Sequence, residues 1–259
     1  MALSDLNEVL KKFRPIGLNE MDCVELMNRT DFKYIFSAAH LAEILDKATD
    51  YYKVLEINNL REFVYSTTYL DTDDYSFFKH HMTGKLNRYK VRYRVYESTG
   101  GSYLEIKHKS NKLRTTKWRI QNNMQERQFD VHAANFLEEH LDNKTRLNPV
   151  LINKFNRITL VGQEFTERIT LDFNLQFSDL AGKQVSLPYL GIAEIKCETF
   201  SYQSPFVKIL KDMKIRQSSF SKYCVGVVLL QNNMRKNALK SKLMTLEKIK
   251  DDYILYTSV

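Results

Sequence analysis

The stretch Arg88-Tyr-Lys-Val-Arg-Tyr-Arg-Val-Tyr96 decides how this chain folds. Basic residues occupy every second position from Arg88 to Arg94, and tyrosines and valines occupy the positions between them. Successive side chains of a β-strand point to opposite faces of the sheet. The stretch therefore predicts a strand with one cationic face and one apolar face.

The same two-faced alternation returns along the chain. Lys107 and Lys109 oppose apolar neighbours, and Lys117 and Arg119 oppose Trp118 and Ile120. Further segments of this kind are Arg29–Lys33, Phe155–Thr159, Arg168–Phe173 and Ala193–Glu198. For any single strand, a solvated polar face above a packed apolar face explains the pattern.

Repetition favours a different arrangement of these strands. Long basic side chains at successive positions of one face repel each other and destabilise a sheet, so an anionic partner should compensate them. A sheet closed into a barrel, with its charged face inward and helices against its outer face, satisfies both halves of the pattern. The sequence thus predicts an α+β fold, an antiparallel β-barrel that forms a tunnel with a polar, basic interior.

The predicted tunnel lining combines cations with a few carboxylates. That composition suits a polyanion and a divalent metal. The lining cations are Lys33, Arg92, Arg94, Lys107, Lys117, Arg157, Arg168 and Lys196.

Composition agrees with a folded chain and an anionic partner. With 259 residues, 43% hydrophobic residues, 8 Gly and 4 Pro, the chain can build a core and shows no linker, so residues 1–259 are interpreted as one domain. The 39 basic and 31 acidic residues give a formal net charge of +8, which favours nucleic acid, a lipid surface or a phosphorylated small molecule as partner.

Cysteine usage and hydropathy bear on location. The 3 cysteines show no paired spacing, and no apolar stretch approaches the roughly 18 residues that span a bilayer. We therefore expect a cytoplasmic protein without a transmembrane segment. Attachment to a membrane through another subunit is an open alternative.

Helices are expected between and after the strands. They are predicted over Asp73–His81, Val131–Leu141 and Ser204–Met213, and from Ser221 onward. The last helix, Asn233–Tyr253, is Lys-rich on one side. Both a solvated amphipathic helix and a docking helix for a membrane partner fit that pattern.

Several chemistries lack their sequence signal. The chain contains neither GxxxxGK[ST] nor GxGxxG, and its 6 histidines show no metal-ligand spacing. No serine or cysteine lies in a recognisable nucleophile motif. Nucleic acid is disfavoured because Tyr89 and Tyr93 lie opposite the cations, whereas a stacking surface needs rings and cations on one side.

Two local clusters carry chemistry. Glu194 and Glu198 flank Lys196 on one side of a strand, within reach of a shared metal–phosphate cluster, although a surface ladder is the favoured explanation of this cluster taken alone. Ser221 and Lys222 begin a helix whose free N–H groups suit a terminal phosphate. Simple capping by serine is the alternative.

Several segments together resemble the VTC domain, the polyphosphate polymerase branch of the triphosphate tunnel metalloenzymes. The resemblance covers about residues 25–230 in order. The segments are Arg29–Tyr34, Tyr69–Asp71, Gly84–Arg94, Leu104–Lys107, Phe155–Arg157, Arg168–Asp172, Glu194–Lys196 and Ser221–Tyr223.

The resemblance implies a tunnel of about eight antiparallel strands in which the terminal phosphoryl group of ATP moves to a growing polyphosphate chain, releasing ADP. It also implies that Glu194 binds Mn²⁺ or Mg²⁺. By the same resemblance the phosphate ligands are the eight lining cations with Ser221 and Lys222, and the catalytic group is Arg92, Arg94, Lys107, Arg157 and Lys222.

Two departures from the resemblance leave alternatives open. Hydrolytic tunnel enzymes begin with Glu-x-Glu-x-Lys, but this chain has Arg29-x-Asp31-x-Lys33, which argues against a two-metal triphosphatase. Eukaryotic relatives resemble Lys-x-Ser-Lys where this chain has Ser219-Phe-Ser-Lys222, so one tunnel cation is missing. A tunnel-fold triphosphatase and a non-catalytic polyphosphate-binding subunit are the alternatives to the polymerase.

Overall fold

The computed structural model describes residues 3–21, 30–112, 114–122, 129–141, 145–164, 166–198 and 201–258. In these ranges the chain forms eleven β-strands, which are Arg14–Ile16 (β1), Thr30–Ser37 (β2), Tyr52–Leu55 (β3), Phe63–Asp71 (β4), Arg88–Tyr96 (β5), Gly101–Lys109 (β6), Thr115–Gln121 (β7), Asn148–Gly162 (β8), Glu167–Ser178 (β9), Gln184–Leu187 (β10) and Leu190–Cys197 (β11).

The same ranges contain eight α-helices and two short 3₁₀ turns. The helices are Leu3–Lys12 (α1), Leu18–Met21 (α2), Leu41–Ala48 (α3), Ser76–Met82 (α4), Val131–His140 (α5), Pro205–Asp212 (α6), Lys222–Leu230 (α7) and Lys240–Thr257 (α8). Helices α4 to α7 begin and end within three residues of their predicted bounds.

All eleven described strands belong to one sheet. Its main path runs β2-β11-β9-β8-β4-β5-β6-β7, and every pairing along this path is antiparallel. β10 pairs with β9, β3 pairs with β8, and β1 pairs with β3 in parallel. The predicted α+β class with a largely antiparallel sheet is confirmed.

The predicted closed barrel of about eight strands is wrong. Among the described residues the sheet has eleven strands, and its main path is open, since β2 and β7 end it without pairing with each other. The sheet instead curves, so that Lys33 on β2 and Lys117 on β7 line the same cavity. Alternation along a strand fixes which face a residue occupies, but it carries no information on whether two edges meet in hydrogen bonds.

The outer face of the sheet carries several helices, as predicted. One buried apolar cluster joins residues of α1, α3 and α6 to β-strand residues such as Phe36, Leu171 and Ile195. A second joins α5 to Val91, Tyr93 and Leu104, which alternate with the cations of β5 and β6. Burial of these apolar faces holds the helices against the sheet.

Helix α7 differs from the expected arrangement because it packs on the inner face. Tyr223, its second residue, stacks on Tyr69, whose side chain lines the cavity. Tyr223 to Val228 and Leu230 are all buried. A helix that is apolar on every side belongs in an interior, so α7 fills part of the curved sheet and directs its first turn into the cavity.

The last helix starts later than predicted. A 3₁₀ turn at Asn237–Leu239 precedes α8, which runs over Lys240–Thr257 instead of Asn233–Tyr253. Asn232 and Asn233 favour turns, which accounts for the delay. None of the helices in the described ranges combines the length and apolar composition that crossing a bilayer requires.

Gly226 allows α7 to approach the sheet closely. A Cβ atom at this position would lie 2.6 Å from Phe177 Cδ1 and 2.8 Å from Leu151 Cδ2. We predict that Gly226→Val lowers the free energy of unfolding by about 3 kcal/mol through overpacking. Urea unfolding should measure this loss, whereas Gly17→Ala, whose nearest contact is 3.9 Å away, should change stability little. Equal midpoints for the two variants would contradict the packing of α7.

Candidate functional site

Strands β5, β6 and β7 present a charged group built around a fully buried carboxylate. Glu105, which is 0% exposed, accepts hydrogen bonds at 2.7 Å from Arg92 and pairs at 2.6 Å with Lys117. Burial opposes its charge, but the neighbouring cations, Arg92 first, hold the pKa of its carboxyl well below its usual range. Glu105 therefore fixes two cations in place.

Arg94 lies two residues further along β5 without such a carboxylate partner among the described residues. Its Nε atom is buried and has no hydrogen-bond partner there. Burial and then the charge of Arg92 lower the pKa of this guanidinium, although it stays charged. Arg94 thus has hydrogen-bonding capacity left for an anion.

Strands β8 and β9 form a second charged group with α7. Asp172 accepts a hydrogen bond at 2.7 Å from Arg157 Nη2 and a second from its Nε, and it also contacts Lys222. The Lys222 ammonium lies 4.1 Å from the centre of the Phe155 ring. Burial opposes the charge of Asp172, but Arg157 and Lys222 keep the pKa of its carboxyl well below the usual value.

The third charged group lies on β2 and β11. Register pairs Glu194 with Lys33 and Lys196 with Asp31. The Lys33 ammonium is 3.3 Å from the Glu194 carboxylate, which also contacts Lys196 on its own strand. Glu194 is thus surrounded by cations when no ligand is bound.

The first turn of α7 has both of the features that its sequence suggested. Ser221 caps the helix by accepting a hydrogen bond from the Cys224 N–H at 3.3 Å, and Lys90 donates to the same hydroxyl at 3.3 Å. Tyr223 donates a hydrogen bond to Asp71, which also accepts from the Phe77 and Phe78 N–H groups. Asp71 thereby ties the start of α7 to β4 and α4.

These groups face one cavity of about 690 Å³. Its lining contains the predicted phosphate ligands and Glu194, which are Lys33, Arg92, Arg94, Lys107, Lys117, Arg157, Arg168, Glu194, Lys196, Ser221 and Lys222. Glu198, which the sequence placed in the same metal–phosphate cluster, is exposed and lies outside this lining, because the strand ends at Cys197. Within the described part of the chain, eleven lysines and arginines line this cavity and Glu194 is the one carboxylate in the lining. The roles assigned to these residues stay predictions.

Sequence reasoning missed several residues of the cavity. Lys90 and Arg119 line it, as do Tyr65, Tyr96 and Tyr103. The pattern that predicted the other lining residues also covers Lys90 and Arg119. Both lie on the same face of their strands as predicted lining residues. Arg29, on which the departure from hydrolytic enzymes rests, lies outside the described residues.

Crowding and burial change the protonation of the lysines. Burial lowers the pKa of Lys196 to about 6 and that of Lys222 to about 7. The charge of Arg92, followed by burial, holds the pKa of Lys107 well below its usual range. Without a ligand, the cavity therefore releases protons at neutral pH, and a bound polyanion would restore them.

A divalent metal fits this cavity only together with a phosphate ligand. No group of three His, Cys, Asp or Glu residues suited to a metal occurs among the residues described by the structure. Glu194 offers one carboxylate, and Mg²⁺ in proteins is commonly held by one or two carboxylates plus substrate phosphates and water. The donor set thus suits a metal that arrives with its phosphate.

Comparison with known proteins gives one family. The family model of the VTC domain matches residues 28–231. No curated protein matches the chain.

The solved structures to which this chain is similar have low sequence identity with it. A candidate adenylate cyclase from Vibrio parahaemolyticus is 15% identical with a TM-score of 0.47, over 75% of this chain and 95% of that one. A candidate adenylyl cyclase from Hippeastrum with a dominant triphosphatase activity is 13% identical with a TM-score of 0.43, over 77% and 96%. A protein of Pyrococcus horikoshii OT3 is 15% identical with a TM-score of 0.44, over 77% and 95%.

The lysine pKa shifts predict how the stability of the ligand-free protein depends on pH. Lys196 and Lys222 have folded pKa values of about 6 and about 7, against an ordinary value of 10.5. Between these values the unfolded chain binds more protons than the folded chain, so the free energy of unfolding rises with pH. From pH 6.5 to pH 8.5 we expect a gain of about 4 kcal/mol for the two lysines together, or roughly 10 °C in Tm.

Differential scanning calorimetry in phosphate-free buffers would measure this change. Lys222→Met removes one of the two groups and should give a smaller rise over the same pH range. A Tm that is flat or falls between pH 6.5 and pH 8.5 in the parent protein would contradict the shifts.

Proposed function

The chain belongs to the VTC domain family, and from that premise we propose that it is an ATP-dependent polyphosphate polymerase. The single observation that carries the proposal is the charge of the cavity. Eleven lysines and arginines line it against one lining carboxylate among the described residues, and a bound polyanion would keep these side chains protonated. Glu105 and Asp172 add two carboxylates behind that lining. Basic groups still outnumber acidic groups by a wide margin at the cavity, which favours an anionic ligand.

A chain of phosphates is the ligand that uses this excess best. Arginine forks match pairs of phosphate oxygens, and lysines act as point charges. Arg92 and Arg157 are held in fixed positions by Glu105 and Asp172, which reduces the entropy lost when they bind an anion. Lysines and arginines of β2, β5 to β9, β11 and α7 line one cavity and would surround a single elongated ligand.

In the proposed reaction a terminal oxygen of the polyphosphate chain attacks the γ-phosphorus of ATP. The bond between that phosphorus and the β–γ bridging oxygen breaks, ADP leaves, and the chain gains one phosphate. The attacking oxygen is already ionised, so the step needs no general base. Arg92, Arg94, Lys107, Arg157 and Lys222 would hold the reacting groups in line and offset the negative charge in the transition state.

Glu194 would hold the divalent cation. Bound Mn²⁺ or Mg²⁺ supplies further neutralisation of charge on the phosphoryl oxygens. Lys33 and Lys196 contact the Glu194 carboxylate in the ligand-free chain. Both lysines would exchange that contact for phosphate oxygens when Glu194 holds the cation, which would link metal binding to substrate binding.

Incubation of the purified chain with ATP and Mn²⁺ tests the proposal. We expect ADP, measured by chromatography, and a phosphate polymer, measured by gel electrophoresis. Orthophosphate without polymer would contradict the polymerase and identify a triphosphatase. Binding of tripolyphosphate without any turnover would contradict it in favour of a polyphosphate-binding subunit.

Arg94 offers the sharpest variant because no described carboxylate forms an ion pair with it, although its charge helps to keep Glu105 ionised. Arg94→Met should slow polymer formation by a factor on the order of 100 or more, as expected for loss of one preorganised donor to the transition state. The free energy of unfolding should change little. Lys211→Met, an exposed change on the outer helix α6, is the matched control and should keep the parent rate. Equal rates for both variants would contradict a role for Arg94.

A further inference from the structure

Three tyrosines form a connected group in the wall of the same cavity. The rings of Tyr65 and Tyr96 are 5.0 Å apart, and those of Tyr96 and Tyr103 are 5.7 Å apart in an edge-to-face arrangement. All three line the cavity. Tyr65 packs against two lining arginines, since Arg157 lies 4.9 Å and Arg94 lies 5.8 Å from the centre of its ring. Aromatic rings do not bind phosphate oxygens, so Tyr96 and Tyr103 suit a different part of a ligand.

The tyrosines occupy one end of the basic strands. On the cavity face of β5 the order is Lys90, Arg92, Arg94 and then Tyr96. On β6, Lys107 pairs with Lys90, whereas Tyr103 pairs with Arg94 and Gly101 with Tyr96. The wall therefore changes from basic to aromatic over about 20 Å of strand.

Gly101 keeps the two outer rings in place. A Cβ atom there would lie 3.2 Å from Tyr103 Cε2 and 3.8 Å from Tyr96 Cδ2. The rings thus lie across a backbone that carries no side chain, which fixes their orientation toward the cavity. Rigid rings lose little conformational entropy when a ligand stacks on them.

A cation already occupies the stacking position in the ligand-free protein. The Arg119 guanidinium lies 5.0 Å from the centre of the Tyr103 ring. Arg119 is exposed on the edge strand β7 and can move aside at low cost. A planar aromatic group could take its place on Tyr103, with the guanidinium stacking on the outer face of that group.

We propose that Tyr96 and Tyr103 form a stacking subsite for the base of the nucleoside triphosphate that donates the phosphoryl group. This inference rests on the proposed function. The subsite would orient the nucleoside triphosphate. Its base would lie beside Tyr96 and Tyr103, and its phosphates would point toward Arg94, Arg92 and Lys90. Stacking tolerates any base, so the subsite separates nucleotides from inorganic tripolyphosphate more than one nucleotide from another.

Isothermal titration calorimetry with ATP and with tripolyphosphate tests the subsite. Tyr103→Leu should weaken ATP binding about tenfold, the loss expected for one stacked base. It should leave tripolyphosphate affinity within about twofold of the parent value. Tyr103→Phe keeps the ring and should restore ATP affinity, and the exposed Tyr51→Leu is the matched control for removal of a tyrosine.

A second measurement on the unmodified protein covers the case in which Tyr103→Leu does not fold. In saturation-transfer NMR, irradiation of protein aromatic protons should reach the base protons of ATP. Absence of this transfer, or equal losses for ATP and tripolyphosphate in Tyr103→Leu, would overturn the stacking subsite alone. Failure of the parent protein to bind either ligand would instead overturn the proposed function.

Discussion

Repulsion among buried like charges is the constraint on which this structure depends. Eleven lysines and arginines, counted among the described residues, face one cavity, and two inward carboxylates hold part of that charge in place. Glu105 anchors Arg92 and Lys117, and Asp172 anchors Arg157 and Lys222. Burial, together with the charge that remains, lowers the pKa of the Lys196 ammonium. A polyanion would neutralise the remaining positive charge more completely. Binding of the ligand that we propose should therefore stabilise the fold.

The rest of the architecture keeps these charges together. Apolar faces outside the sheet bind α1, α3, α5 and α6, while α7 fills part of the inner face. Gly226 lets α7 contact the sheet, and the hydrogen bond from Tyr223 to Asp71 fixes its first turn. Ser221 and Lys222 thereby reach the cavity. Packing of the apolar helix α7 therefore also places a lysine at the cavity.

The strands, and the face of the sheet on which each side chain lies, could be predicted from sequence. Both follow from the two-residue alternation of basic and apolar side chains along a strand. Lys33, Lys117 and Lys196 come from distant segments, yet the alternation within each strand was enough to place each side chain on the inner face. Closure could not be predicted, because pairing between β2 and β7 depends on backbone geometry that side-chain alternation does not encode. The anchoring role of Glu105 and Asp172 also stayed hidden, since it depends on neighbours across strands. The tyrosines of β4 were missed because their strand lacks the basic alternation.

A diffraction structure of the chain crystallised with tripolyphosphate and Mn²⁺ tests the central claim most directly. The account predicts phosphate oxygens within hydrogen-bond distance of Arg94 on β5 and Arg157 on β8 in the same ligand, with anomalous scattering from manganese beside Glu194. Phosphates bound only on the outer surface, with the cavity cations still paired as in the ligand-free chain, would contradict it.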